Sequence, residues 1–407
     1  MHVLFVAPYA LETTLRFVRA TAGLSGVRLG VISQQPRATF AAELGANLHG
    51  FEQVQDPLDA DQLERAVRAI AAGWGGEVDR LIGVLEQLQE PLAEVRERLG
   101  IRGMDRGEAR NFRDKSRMKD VLRAAGLPCA RHALARSREE ALAFARTTLP
   151  LVAKPPAGAG ARNTLRVDDL GRLEGYLRTL PPTPEEPLLL EEFILGEEHS
   201  FDSITVGGEH RFHSISRYAP TPLEVLENPW IQWCVLLPRH VDGDEYQGIR
   251  EAGPRALRAL GMVTGMTHME WFRRPDGSLA ISEVAARPPG AQFTTLLSFA
   301  HDLDFHAAWA RLMVFEEFEP PARSYACGAV FLRGQGATNG KVARVRGLDA
   351  LRAELGELVV RAKIPEVGSP AAKDYEGEGF VILRHAQTER VEAGLARVLE
   401  LLRIELE

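Results

Sequence analysis

The segment THMEWFRRPDGSLAISEVAARPPG contains two glutamates, Glu270 and Glu283, whose carboxylates could bind a metal ion together if they lie close to each other. The segment predicts a β-hairpin with its turn around residues 275–278. If the loop holds two or four residues, Glu270 pairs directly with Glu283, with Cβ atoms about 5 Å apart, and their charges repel unless a cation lies between them. Magnesium takes oxygen ligands, so this register predicts a metal site. A three-residue loop with a bulge at Gly277 predicts instead that the carboxylates lie on opposite faces.

A lysine followed by small residues is the second candidate. Lys154 ends the extended run LPLVAK, and PPAGAGARNT follows it. A loop without bulky side chains lets backbone N–H groups near Gly158 and Gly160 approach phosphate oxygens, while the lysine adds a positive charge. The pattern therefore predicts phosphate binding, although it is also typical of an ordinary turn beside a solvated lysine.

An acidic and apolar segment, LLLEEFILGEEHSFD, is the third candidate. Glu191 and Glu198 flank the apolar residues 193–195, and such carboxylates can accept hydrogen bonds from an adenine amino group and from ribose hydroxyls. The strand backbone would contact the adenine edge. The alternative is a strand that ends in a solvated acidic turn.

Two further side chains accompany the glutamate pair. Arg287, four residues after Glu283, has the fork geometry to hold a substrate carboxylate or a phosphate, and the alternative is an ordinary surface ion pair. His268 would share a sheet face with Glu270, but neutral imidazole is a poorer magnesium ligand than oxygen. We therefore expect His268 to pack beside the site or to support it.

The elements that position these residues predict more than one domain, because roughly 150 residues per domain is usual. Buried strands alternating with helices predict a doubly wound α/β domain over 1–105. Extended segments followed by long helices predict an α+β region over 106–320, with a helical span from about Ala291 to Phe315. The prolines after Glu319 predict a boundary before a small α+β domain over 321–407.

Composition excludes several classes of protein. Apolar residues make up 45% of the 407 residues and charged residues 26%, and no apolar run is long enough to span a bilayer. A net charge of −7 without an arginine-rich, aromatic-interleaved run argues against a nucleic-acid partner. Three scattered cysteines favour neither a metal site nor a disulfide framework. The amino terminus predicts a strand and not a signal peptide, so a cytoplasmic location is expected.

In this order and spacing the segments resemble the ATP-grasp superfamily, specifically its carboxylate–amine ligases, over most of the chain. The resemblance implies an ATP-grasp fold with a lid subdomain at about 130–195. One departure is Ala285, which stands where the family usually has asparagine. The site residues that the resemblance implies are Lys115, Lys154, Gly158 and Gly160 at the phosphates, Glu191, Glu192, Phe193, Ile194 and Glu198 at adenine and ribose, Glu270 and Glu283 at the metal, and Arg287 and Lys154 in catalysis.

The resemblance also implies a reaction. ATP with Mg²⁺, or alternatively Mn²⁺, would activate a carboxylate as an acyl phosphate, and an amine would then form an amide, with a dipeptide as the preferred product. The loop around 157–161 would close as a lid over this intermediate. The partners are small-molecule acids and amines, and a homodimer is left open. The alternatives are a biotin-carboxylase-like carboxylation and a nucleotide-binding subunit without turnover.

Overall fold

The structure is a computed structural model that describes residues 1–158, 164–228, 230–336, 340–372 and 376–407. Within these residues the chain forms four β-sheets with helices packed on them. No helix in this part of the chain has both the length and the apolar composition needed to cross a membrane.

The first region is a parallel sheet of four strands in the order β3-β2-β1-β4. The strand sequences VLFV and GVIS are buried throughout, as expected for parallel strands covered on both faces. A 3₁₀ turn, Glu86–Leu88, begins four residues after the end of the last of these strands, Arg80–Ile82. The elements are β1 (His2–Val6), α1 (Glu12–Ala22), β2 (Arg28–Ser33), α2 (Arg37–Leu44), β3 (Leu48–Gln53), α3 (Ala60–Ala72), β4 (Arg80–Ile82), α4 (Gln89–Leu99), α5 (Arg106–Arg113) and α6 (Lys115–Ala124).

The second region is a small antiparallel sheet in the order β5-β8-β6-β7 with two helices. Its own core contains Leu151, Leu173 and Leu190, all fully buried. The helices begin at side-chain caps, since Ser137 and Asp169 each accept a backbone hydrogen bond from the first turn. The elements are β5 (His132–Ala135), α7 (Arg138–Ala145), β6 (Leu151–Lys154), β7 (Leu165–Val167), α8 (Leu170–Thr179) and β8 (Leu188–Glu192).

The third region begins an eight-stranded sheet in the order β13-β12-β9-β10-β11-β14-β18-β17. The helical span predicted from about Ala291 to Phe315 consists of two helices, because Asp302 adopts a left-handed φ of 49° and Asp304 caps a new helix. The elements are β9 (Glu197–Val206), β10 (Glu209–Ala219), α9 (Pro222–Glu227), β11 (Trp233–Leu237), α10 (Gln247–Leu260), β12 (Gly265–Arg273), β13 (Leu279–Ala285), α11 (Phe293–His301) and α12 (Phe305–Phe315).

The last region completes the same large sheet and adds a small one, in the order β15-β19-β16. Because β14, β18 and β17 continue the eight-stranded sheet past Pro321, the division of the chain at that proline stays a proposal. The elements are β14 (Ala326–Leu332), β15 (Gln335–Gly336), β16 (Val342–Arg346), α13 (Leu348–Leu355), β17 (Val359–Lys363), β18 (Gly379–His385), α14 (Thr388–Leu401) and β19 (Arg403–Leu406). The mixed α/β and α+β fold class predicted from the sequence is confirmed.

Candidate functional site

One cavity of about 600 Å³ lies between the four-stranded antiparallel sheet and the edge of the eight-stranded sheet. All the candidate residues that the structure describes line it. Gly160 and most of the small-residue loop after Gly158 lie outside the described residues. The candidates that line the cavity are Lys115, Lys154, Gly158, Glu191, Glu192, Phe193, Ile194, Glu198, Glu270, Glu283 and Arg287.

The hairpin of β12 and β13 pairs Glu270 directly with Glu283, as the sequence predicted. The sequence left the loop length open, and the structure has the three-residue loop for which opposite faces were expected. Arg274 N–H donates to Ser278 O at 2.8 Å, and Gly277 has a φ of 82°, so three residues form the loop. A bulge at Ser282 then adds one residue to β13, since Trp271 pairs with Ile281 while Glu270 pairs with Glu283. The bulge restores the register that the loop alone would have lost.

Lys115 lies where helix α6 begins, with its ammonium group at the metal candidates. Asp114 caps the helix, and Lys115 N–H donates to Pro156 O at 2.9 Å, which ties the helix to the small-residue loop. Lys115 Nζ lies 2.8 Å from Glu283 Oε1 and donates to Gly158 O at 2.9 Å. Burial opposes ionisation of Glu283, but Lys115 and Lys154 outweigh it and hold the pKa of this carboxyl below its usual value.

Glu191 is held between two lysines. Its Oε2 lies 2.9 Å from Lys154 Nζ, and its Oε1 lies 2.9 Å from the ammonium group of Lys119, which is 0% exposed. Burial favours the neutral acid, but the two lysines outweigh it and lower the pKa of Glu191 to about 2. Lys119 also donates to Ser282 O at 2.6 Å, so it links Glu191 to the bulged strand. Glu191 therefore positions lysines, which differs from the expected acceptor role toward adenine.

The segment after β8 forms an apolar wall of the cavity. Phe193 N–H donates to Pro150 O at 3.0 Å, so this N–H is already used within the protein. The guanidinium of Arg166 lies 4.3 Å from the centre of the Phe193 ring. The Glu192 carboxylate is held by Arg131 at 2.9 Å and by Arg274 at 2.5 Å.

Glu198 is a buried carboxyl at the other end of this segment. It lies on β9 beside β12, where the neighbouring pair is Ser200 with Glu270. Burial, reinforced by the charge of Glu270, raises the pKa of Glu198 well above its usual value. This shift favours the neutral carboxyl, which can donate a hydrogen bond as well as accept one.

His268 connects Glu270 to a buried aspartate. Its Nδ1 lies 2.5 Å from Asp202 Oδ1, and its Nε2 lies 3.7 Å from Glu270 Oε1. Burial opposes protonation of the imidazole, but Asp202 and Glu270 outweigh it and raise the pKa of His268 to about 10. The two facing glutamates are thus each accompanied by a cation, Lys115 at Glu283 and His268 at Glu270.

Arg287 is fixed by a carboxylate from the amino-terminal region. Its Nη2 and Nε donate to Glu86 Oε2 at 2.7 and 3.1 Å, and Glu86 is 5% exposed. The other oxygen of Glu86 accepts from Arg113 at 3.2 Å, and Arg113 also donates to Gly158 O at 3.1 Å. Glu86 therefore links Arg287 to the small-residue loop through Arg113.

Three of these residues, Lys119, Glu86 and Arg113, have no part in the sequence prediction. The sequence could have identified Lys119, because it lies one helical turn after Lys115 and so shares the same helix face. Glu86 also had a signal, since it follows the carboxyl end of a parallel strand, where ligands of open α/β sheets bind. Arg113 shows no pattern that separates it from other surface arginines.

The donor set at Glu270 and Glu283 fits magnesium held jointly with phosphate. Among the described residues, His, Cys, Asp and Glu side chains form no cluster of three or more that would hold a metal by themselves. Magnesium commonly binds one or two protein carboxylates and completes its octahedral shell with substrate phosphates and water. Two facing glutamates beside two lysines offer that arrangement.

Comparison with known proteins shows partial sequence similarity to ligases and synthases. No family model matches the chain. The L-arginine-specific L-amino acid ligase of Bacillus subtilis is 25% identical over 249 residues, covering 60% of this chain and 59% of that protein. A carbamoyl phosphate synthase large chain of Methanothermobacter thermautotrophicus is 27% identical over 233 residues, covering 56% of this chain and 21% of that protein. The chain thus spans between 21% and 59% of the length of the curated relatives it matches.

A solved structure extends the likeness to the whole chain. The L-amino acid ligase from Bacillus licheniformis superposes with a TM-score of 0.78 at 20% identity, covering 100% of this chain and 98% of that one. The chain has an ATP-grasp fold. In this fold the cavity walls come from two sheets, with Lys154 and Glu191 on the small sheet and Glu270 and Glu283 on the large one.

Proposed function

We propose that this chain is an ATP-dependent ligase that joins a carboxylate to an amine through an acyl phosphate. The observation that carries the proposal is the convergence of Lys115 and Lys154 with the facing pair Glu270 and Glu283 in one cavity. Two lysines beside two metal-binding acids suit the terminal phosphates of a nucleotide, because phosphoryl transfer needs positioning and charge neutralisation more than covalent help.

The proposed residue roles follow from position along the cavity. Lys115, Lys154 and the backbone around Gly158 bind the phosphates. Adenine lies against the apolar wall at Phe193 and Ile194, and Glu198 contacts the ribose. Glu191 and Glu192 act indirectly, because their carboxylates are occupied by basic side chains.

Magnesium, or manganese, would be held by Glu270 and Glu283 together with phosphate oxygens. Bound there, it would neutralise charge on the transferring phosphoryl group. Glu283 would then exchange Lys115 for the metal, and His268 would keep Glu270 oriented. Ala285, buried beside this pair, supplies no ligand of its own, so a second metal would be completed by water or substrate.

The reaction has two steps. A carboxylate oxygen attacks the γ-phosphorus, and the bond to the bridging oxygen breaks to release ADP. The amine nitrogen then attacks the acyl carbon, phosphate leaves, and the amine loses a proton. Arg287 lines the cavity, and its guanidinium would stabilise the oxyanion of that second step.

Amino acids are the proposed substrates for both positions. The support is the similarity to proteins named L-amino acid ligases. The three-region division with a lid subdomain and a cytoplasmic location, where ATP and free amino acids occur, belong to the same proposal.

Trapping the activated acid tests this function. The protein is incubated with ATP, Mg²⁺, hydroxylamine and single amino acids from a panel, and hydroxamate and ADP are quantified. We expect equal amounts of hydroxamate and ADP with the correct acid. Release of AMP and pyrophosphate, or ADP without hydroxamate for every acid tried, would contradict an acyl-phosphate ligase.

A further inference from the structure

A second, smaller cavity of about 60 Å³ lies behind Arg287, between the parallel sheet and the start of the large sheet. Since a cavity needs about 10–15 Å³ of this volume for each water-sized sphere, it has room for roughly four to six such spheres. That size matches a small anion and excludes a nucleotide. Arginines supply most of the charge in its wall, namely Arg80, Arg96, Arg102 and Arg287, with Glu316 as the one acidic residue among the described wall residues.

Arg96 is a buried charge in this wall, with 7% of its surface exposed. Its Nε donates to Leu81 O at 2.9 Å and its Nη1 to Met104 O at 3.3 Å, and both acceptors are neutral carbonyls. Burial lowers the pKa of Arg96 to about 10, so the guanidinium stays protonated at neutral pH. Among the described residues no carboxylate lies within ion-pair distance of it. A buried charge without a counter-charge is costly, so an anion here would be stabilised.

The other charges leave the wall positive. Glu316 forms ion pairs with two arginines, with Oε1 at 3.5 Å from Arg80 and Oε2 at 2.5 Å from Arg102. Arg287 is balanced by Glu86 on the side of the large cavity. Counting Arg80, Arg96 and Arg102 against Glu316, two positive charges remain around the small cavity. Water would satisfy hydrogen bonds there but would leave the charge unmatched.

We propose that this cavity is a binding site for a small oxyanion, either inorganic phosphate or the carboxylate of a small acid. Arginine guanidinium groups match the geometry of both. Because Arg287 lines both cavities, the site adjoins the large cavity and is separate from its lysines and metal candidates. An oxyanion bound there would contact Arg287, which also lines the large cavity. Binding of the oxyanion does not require turnover.

The test measures anion binding to the full chain with the nucleotide site filled. Thermal unfolding and calorimetry are followed during titration with phosphate, with acetate and with chloride at equal ionic strength, all with a saturating non-hydrolysable ATP analogue and Mg²⁺. We expect saturable stabilisation by phosphate or acetate and none by chloride. The tighter of the two oxyanions identifies the source. Equal responses to all three salts, or no saturable response, would overturn the proposal.

Two variants of the wall should shift this affinity in opposite directions. Arg102 is 69% exposed, so Arg102→Gln should fold while weakening oxyanion binding by about tenfold, because a charge-assisted contact is lost. Glu316→Gln removes the negative charge from the wall and should tighten binding. Arg106→Gln, at an arginine that is 57% exposed and does not line the cavity, should leave the affinity unchanged. If the ion pairs of Glu316 are only structural, both wall variants lower stability and neither changes the affinity, which contradicts the site.

Discussion

Replacing Glu191 with glutamine isolates the energetic role of the lysine-bound carboxylate. The Glu191→Gln side chain keeps its size but leaves Lys119, which is fully buried, without its anionic partner. The pKa of Glu191 falls from 4.5 to about 2, which corresponds to about 3 kcal/mol of interaction with the ionised form. Breaking a buried ion pair at one partner costs a similar 3–5 kcal/mol, roughly. We therefore expect the variant to lose about 3 kcal/mol of unfolding free energy at neutral pH.

The same ion pair predicts how the difference depends on pH. Because the folded pKa of Glu191 lies below its unfolded value, the stabilisation is fully present above pH 4.5 and is lost as the pH falls toward 2. By about pH 3.5 the wild-type protein has lost about 1 kcal/mol of this contribution. The gap between wild type and Glu191→Gln should therefore narrow on acidification.

Urea unfolding at neutral pH and at moderately acid pH measures both effects. Glu197→Gln is the matched control, because Glu197 pairs with Arg273 through a side chain that is 66% exposed, and such surface pairs contribute about 0–1 kcal/mol. A loss at Glu191 no larger than that of the control, or a gap that widens in acid, would refute the assignment of Glu191 as a buried counter-ion.

Two further predictions concern the ligands of the large cavity. Lys154→Ala should weaken binding of a non-hydrolysable ATP analogue in the presence of Mg²⁺ by at least about tenfold, measured by calorimetry, whereas Lys341→Ala, which does not line the cavity, should not. Glu283→Gln should abolish most turnover and the Mg²⁺ dependence of analogue binding, and it should also lower stability because Lys115 loses its partner. Wild-type affinity in the first variant, or preserved Mg²⁺ dependence in the second, would remove that residue from the site.

The β12–β13 hairpin shows which features local sequence patterns could predict and which they could not. The pairing of Glu270 with Glu283 is confirmed, yet it rests on two irregularities that cancel, a three-residue loop and a bulge at Ser282. Turn residues signal the loop, because Gly277 needs a positive φ, but Ser282 carries no comparable signal. The bulge is stabilised by a contact distant in sequence, Lys119 to Ser282 O, which only the folded chain brings together.

The sequence likewise identified some of the charged residues of the site and missed others. Lys154 was recognisable in the sequence because it ends a β-strand. The glutamate pair was recognisable because its two members lie on the two strands of a clear hairpin pattern. Their partners were not, since the contacts of Glu86 with Arg287 and of Lys119 with Glu191 join residues 201 and 72 positions apart. Such contacts depend on how whole regions pack, which periodicity and turn chemistry do not specify.

The basic side chains of the large cavity are already paired with carboxylates, which affects how a polyphosphate would bind. Lys115, Lys154 and Arg287 each contact a carboxylate, namely Glu283, Glu191 and Glu86. These contacts fix the cations at the cavity wall, so a polyphosphate meets groups that are already oriented, and less conformational freedom is lost on binding. They also make binding an exchange of partners. Glu191 would keep Lys119 and Glu86 would keep Arg113, whereas Glu283, which pairs with Lys115, would become an unpaired anion. Only at Glu283 would the incoming metal replace the lysine directly, and we therefore place the coupling between nucleotide and magnesium at that residue.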